Sequence, residues 1–214
     1  PLLRSALTNL NAWVTNGDIP PASRHPKISD GTAAESYTLA NKFEQLKSVR
    51  FPPRPLRAIR LDHGPTVDDG ILSILPPIQK QPYPAWVSDL DENYNDIAGI
   101  RLPHISVPLA TYSGWNLRHP EMGNENLYIG ITGGLAGWTL KFPATARERE
   151  ISNDPRLSIE ERYSSKEDYL GKVRDASESL VRERYMLEED VPILEQEAGQ
   201  FYDYLHTNVH NAQP

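Results

Sequence analysis

Cysteine is absent from the 214 residues, which excludes disulfides, thiolate zinc sites and a cysteine nucleophile. Long apolar runs are missing too. No stretch approaches the ~20 residues that span a bilayer, so no membrane partner is expected. Positive charge is in deficit: 22 Lys and Arg stand against 29 Asp and Glu, a net charge of -7. Phosphate binding needs clustered cations, so a nucleic-acid partner is not expected either. There is no G-x-S-x-G elbow, no glycine-rich phosphate loop and no helical His pair around a glutamate. Neither a cofactor nor a metal is expected, and no catalytic residue is assigned.

What remains is ordinary in bulk and unusual in punctuation. Charged residues are 24% and hydrophobic ones 38%, enough for a real core in one domain or one and a half. The 19 prolines exceed the usual ~5% share and predict short elements joined by extended loops. The chain starts at Pro1 rather than Met, and a longer gene product is expected. Its least charged stretch is Ile97–Arg118, with apolar runs at Ile100–Leu102 and Val107–Leu109 that read as short strands. The stretch closes on Tyr112-Ser-Gly-Trp-Asn116, where Gly114 is free to take a positive φ.

Residues 2–14 carry the clearest helical signal. Leu2, Leu3, Ala6, Leu7, Leu10, Trp13 and Val14 share one face at the 3.6 period, and Asn16-Gly17 ends it. The five large apolar side chains, at ~1.5–3 kcal/mol each, are worth on the order of 10 kcal/mol when buried. A cover for this face is therefore expected. A second helix is predicted over Glu35–Lys47, and strands over Leu56–Leu61, Ile71–Leu75 and Ala85–Val87. Leu127–Ile131 and Trp138–Phe142, separated by Gly133-Gly134 and Gly137, predict a hairpin. Beyond residue 145, Ser158…Glu161 and Ser165…Asp168 are capping-box pairs. Two apolar stripes follow and predict an antiparallel helix pair, with a frayed tail from His206.

The chemistry-bearing residues read structurally. Asp62-His63-Gly64 sets a carboxylate beside an imidazole, but neighbours in sequence rarely face each other, and a turn is the better reading. Asp89, Asp91, Asn93 and Asn95 alternate like calcium ligands, yet Asp96 and Leu102 stand where that loop needs glycine and glutamate, so an Asx-rich turn is expected. His206 and His210 lie in a weak terminus. The carboxylate pairs Asp68-Asp69, Glu160-Glu161 and Glu188-Glu189 fit solvated faces or helix starts. Arg147, Arg149, Arg156 and Arg162, interleaved with glutamates, predict a surface laced with salt bridges.

A resemblance runs through nearly the whole chain. Asp91…Asn95-Asp-Ile-Ala-Gly-Ile-Arg-Leu-Pro103 and Val107-Pro-Leu-Ala-Thr-Tyr-Ser-Gly-Trp-Asn-Leu-Arg118 resemble the C-terminal part of an α/β-hydrolase-domain family. Pro1–Arg4 with Trp13-Val14, Gly17, Pro20-Pro21 and Pro26 agree in order. So do Phe142-Pro143, Thr145-Ala-Arg147, Asp154-Pro155-Arg156 and Glu161-Arg162-Tyr163. Tyr94 departs from the pattern, since the family usually has glycine in that turn, and Gly130–Gly137 also diverges. In the family the serine elbow and the acid lie far upstream, and the histidine just before the helix that starts here at Leu2. The resemblance therefore implies a chain without triad residues, and it brings no substrate with it.

The fold class expected is α+β. Residues 1–22 are the last helix of a hydrolase core, residues 23–145 a Pro-rich module of short strands, and residues 146–214 a helical segment packed on it. The motif residues Tyr112, Gly114, Trp115, Asn116 and Arg118 are expected to be structural or pocket-shaping. Two functions stand side by side: the C-terminal portion of a serine-hydrolase, esterase-like protein, inactive alone, and a non-catalytic binding or assembly module using Trp86, Trp115 and Trp138. The expected partner is the upstream hydrolase core or a second copy, met through Leu3, Leu7 and Leu10.

Overall fold

The computed structural model describes residues 1–46, 49–53, 57–129 and 137–207. The expectations placed on Lys47, Leu56, Gly130–Gly134, His210 and the rest of the tail lie outside these residues. The described chain mixes helices with three small antiparallel sheets, an α+β architecture.

Helix α1 (Leu2–Asn16) ends where the sequence predicts. Gly17 takes a left-handed φ of 79° and its N–H reaches the Trp13 carbonyl at 3.0 Å. Its attachment to the rest of the chain is inverted. The Ser5 hydroxyl donates to the Tyr185 carbonyl at 2.8 Å, Asn9 Nδ2 donates to the Arg184 carbonyl at 2.8 Å, and Arg4 pairs with Asp190. Arg184 sits at φ 63°, just past the helix Lys166–Arg182, so this left-handed turn is where the carbonyls meet α1. The polar side of α1 thus faces inward, while Leu3 is 82% and Leu7 66% exposed, with Leu10, Trp13 and Val14 also open.

Strand β1 (Ala33–Glu35) pairs with β4 (Trp86–Ser88), and between them in sequence come a 3-10 turn and the short helix α2 (Leu39–Phe43). The helix predicted over Glu35–Lys47 is therefore much shorter. β2 (Ile59–Asp62) pairs with β3 (Ile78–Pro82), not with Ile71–Leu75, which forms no strand. That ribbon is exposed along nearly its whole length, so no burial selects an apolar alternation and Ile-Gln-Lys-Gln-Pro passes unnoticed as a strand.

The central stretch also differs from expectation. Pro103 opens helix α3 (Pro103–Ser106), and Pro108 has no N–H to give a ladder, so strand β5 begins only at Ala110 and ends at Ser113. β5 pairs with β6 (Trp138–Lys141), Ala110 opposite Lys141 and Ser113 opposite Trp138. Leu127 and Tyr128 are not β6's partner, and Tyr128 instead bridges to Leu117. Helices α4 (Ala146–Ser152) and α5 (Ile159–Arg162) follow, α5 opened by a complete Ser158–Glu161 capping box. α6 (Lys166–Arg182) and α7 (Val191–Thr207) run antiparallel, tied by Lys166 to Asp203 at one end and Arg174 to Glu195 farther along.

One core joins Leu109 and Phe142 to Ile159, Tyr163, Tyr169, Val173 and Leu205, seating the β5–β6 hairpin on the last helices. A second gathers Leu39, Phe43, Leu46 and Tyr94, with Trp115 and Trp138 against it. Arg156 corrects the surface reading of the arginine-glutamate segment. It is 1% exposed and forks onto Asp154, the Thr111 hydroxyl and the Leu140 and Lys141 carbonyls. Arg162 likewise lies over the Phe142 ring at 4.4 Å. Both are held against the β5–β6 hairpin, so neither belongs to a solvated charge lattice.

Candidate functional site

The site is built from an Asx turn upward. Asp91 Oδ1 accepts the N–H groups of Asn93 (2.8 Å) and Asn95 (3.0 Å), which holds Tyr94 at φ 60°. A tyrosine bears strain at this left-handed position. Asn95 is fully buried and replaces a strand: its Nδ2 donates to the Ala110 carbonyl at 3.0 Å and its Oδ1 accepts from Tyr112 N–H at 2.8 Å. A calcium reading fails here because Asp91 and Asn95 spend Oδ1 on backbone N–H groups, while Asp89 and Asp91 pair with Lys42 and Arg101. Among the described residues no group of three or more acidic or histidine side chains is placed to hold a metal.

β5 then delivers the Tyr112–Arg118 motif. The Ser113 hydroxyl donates to the Trp115 carbonyl at 2.5 Å and accepts from Trp138 N–H at 3.3 Å, so it closes the turn. Gly114 does not adopt a positive φ. The glycine that the geometry requires is Gly137, where a Cβ would lie 1.9 Å from the Ser113 carbonyl oxygen. Trp115 is half-buried, edge-on to Phe43, Phe51 and Trp138 with ring centroids 5.5–5.6 Å away. Asn116 acts through its carbonyl, which accepts Ile129 N–H at 2.9 Å. Arg118 continues the pairing, its N–H donating to the Leu127 carbonyl at 3.0 Å.

Tyr112, Gly114 and Trp115 line a cavity of about 370 Å³, at the small end of ligand pockets. Ser36, Leu39 and Phe43 form one wall, Phe51 and Pro52 another, and Val87, Leu90, Tyr94, Asp96 and Tyr128 complete it. Burial pushes the Tyr112 phenol up to about 12 and raises Tyr128 and Tyr94 as well, so all three stay neutral. Asp96 is raised above the ordinary carboxylate range, chiefly by desolvation and then by the charge of Asp91, with Arg101 opposing. Asp96 is exposed at the rim of the cavity. Ser36 is 6% exposed and its hydroxyl finds no partner. Asn116 and Arg118 face a separate groove on the other side of Trp115.

A larger groove of about 510 Å³ lies between the Ser23–Thr32 loop and α6, but it is more open and two of its cations are committed, Arg24 to Glu183 and Arg101 to Asp91. The histidines are scattered. His63 sits inside an Asx turn in which the Asp62 carboxylate accepts Gly64 N–H at 2.9 Å and pairs with Lys80. His104 stands edge-on to Tyr112, its pKa lowered by burial, and His206 stacks on Tyr202. Among the described residues no histidine bonds to a serine hydroxyl and none lines the motif cavity. The walls that sequence reading missed come from Ser36–Phe51, some seventy residues before the motif, and only the aromatic pair Phe43 and Phe51 hinted at them.

The family model described as "Alpha/beta hydrolase domain" matches residues 1–195. No curated protein and no solved structure matches the chain. Among the described residues, no helix is long and apolar enough to cross a membrane.

Proposed function

The chain belongs to the alpha/beta hydrolase domain family, and from that premise we propose that it is the C-terminal portion of a serine-hydrolase-like protein of esterase type. In this reading residues 1–22 form the last helix of the hydrolase core, and the cavity beside Tyr112 and Trp115 holds part of the substrate. The nucleophile comes from polypeptide outside these residues. The observation that carries the reading is the inverted helix α1: about five large apolar side chains face outward while its polar side is hydrogen-bonded inward. An apolar stripe of this kind belongs against another apolar surface. No serine in the described chain has the positioned base that acyl transfer needs, and Ser113, the motif serine, is spent on the turn.

A fluorophosphonate probe tests it. The expected result is no labelling of the 214-residue chain, and labelling of the full-length gene product at a serine outside it. Labelling of the chain itself that is lost in Ser113→Ala would overturn the assignment. An unlabelled full-length product would leave the cavity as the site of a non-catalytic binding module.

A further inference from the structure

The motif cavity has a chemical character that the hydrolase reading does not specify. Six aromatic rings, Phe43, Phe51, Tyr94, Tyr112, Trp115 and Tyr128, contribute to its lining. Among the described residues no lysine, arginine or histidine lines it, and the one charged side chain there is the carboxylate of Asp96. Ring faces carry negative electrostatic potential, so walls of this composition favour positive charge. An anionic ligand would meet aromatic rings and a carboxylate with no counter-charge among the described lining residues, and is disfavoured.

Asp96 stands apart from its neighbours in the same loop. Asp89 is paired with Lys42 at 2.5 Å, and Asp91 with Arg101 at 2.5 Å and with two backbone N–H groups. Among the described residues Asp96 has no side-chain hydrogen bond and no ion pair. The two acids before it that serve the turn are committed, and the one at the cavity rim is left open. A neutral ligand would bury the rings and leave that carboxylate unanswered.

We propose that this cavity binds an organic cation, an alkylammonium or quaternary ammonium group carried on the substrate, with the aromatic walls around its apolar body and Asp96 facing its charge. The buried, unpartnered Ser36 hydroxyl supplies a neutral hydrogen bond for a carbonyl or hydroxyl on the same ligand. The word "substrate" rests on the hydrolase reading, but the binding itself needs no nucleophile. Only the small cavity volume limits the ligand, to a compact head with one short arm.

Titration of the 214-residue chain with phenyltrimethylammonium, followed by tryptophan fluorescence and calorimetry, tests the inference. Benzyl alcohol and benzenesulfonate serve as neutral and anionic probes. Saturable binding of the cation is expected, about tenfold tighter than benzyl alcohol, with none for benzenesulfonate. Asp96→Asn, at a solvent-open position, should weaken the cation about tenfold at unchanged melting temperature and leave benzyl alcohol alone. Equal affinity for cation and alcohol, no effect of Asp96→Asn, or no cation binding each overturns the proposal. Cation binding without serine labelling of the full-length product would remove the hydrolase reading and keep this site. Labelling without cation preference would do the reverse.

Discussion

Arg156 donates a 2.9 Å hydrogen bond from Nη1 to the Thr111 hydroxyl, joining two residues 45 apart in sequence and both closed to solvent. Thr111 passes the connection on, donating to the Asn93 carbonyl at 2.5 Å. A continuous polar line therefore runs from Asp154 through the β5–β6 hairpin to the Asx turn beneath the cavity. Removing one partner of a buried charge pair typically costs ~3–5 kcal/mol, because the other is left uncompensated. Arg156→Leu should lose about that much in urea denaturation, and Arg156→Lys should recover only part, since an ammonium cannot reproduce the fork. A loss under ~1 kcal/mol would mean that the line does not support the hairpin.

The same pair sets an acid limit. Partial burial of Asp154 opposes ionisation, but hydrogen bonds and charge from Arg156 outweigh it and hold the carboxyl below the ordinary range. A carboxylate depressed in the folded state adds stability that is fully present above its unfolded pKa and lost as pH falls through the folded one. Stability should therefore drop below about pH 4. Asp154→Asn should flatten that part of the pH profile, measured by thermal melts from pH 2 to 6, and an unchanged profile would count against the pairing.

Tyr94 weighs strain against burial. Its left-handed φ of 60° costs ~1–2 kcal/mol for a residue with a Cβ, and glycine would relieve it. The ring is 8% exposed, packs 5.7 Å from Phe43, and its hydroxyl donates to Gln45 at 3.1 Å. Deleting a buried aromatic costs ~3–5 kcal/mol, so burial wins. Tyr94→Gly should be net destabilising by roughly 2 kcal/mol. A stabilised variant would show that strain dominates.

Gly137 should tolerate no side chain. An alanine Cβ would meet the Ser113 carbonyl oxygen at 1.9 Å, a backbone atom with no flexible end to yield. Gly137→Ala should cost about 2 kcal/mol or more and disturb Trp115 and Trp138, visible as a shift in tryptophan emission. Gly114→Ala, with open space around it, should leave both readings nearly unchanged.

Leu7 is 66% exposed, so Leu7→Asp should leave folding stability within about 0.5 kcal/mol. If the face of α1 is an association surface, the parent chain should self-associate in sedimentation velocity and Leu7→Asp should not. A monomeric parent at high concentration would refute self-association through this face.

The longer helices were legible because their signals are local, while the short helices α3 and α4 were not. A 3.6-residue apolar period and a left-handed glycine fixed α1, and serine caps fixed α5 and α6. Of the strands, Ile59–Asp62, Trp86–Ser88 and Trp138–Lys141 fall on runs that the sequence predicts, whereas Ala33–Glu35, Ile78–Pro82 and Ala110–Ser113 do not. Ile78–Pro82 is wholly exposed and has no pattern to read, while Val107–Leu109 is buried as a loop against Tyr163, whose hydroxyl reaches the Pro108 carbonyl at 2.9 Å. At the site, the Tyr112–Trp115 half was readable as one contiguous motif. The other half needed the chain to fold Ser36, Phe43 and Phe51 against it, and no local pattern encodes that approach.

Helix α1 is held on one side by ions and polar groups and is bare hydrocarbon on the other, so the two sides answer oppositely to added salt. Ammonium sulfate screens the exposed pair of Arg4 with Glu189 at 3.9 Å and loosens the inner attachment. The same salt is excluded from apolar surface and makes Leu3, Leu7 and Leu10 more adhesive. Precipitation by sulfate should therefore begin at this helix, at concentrations where Leu7→Asp stays in solution.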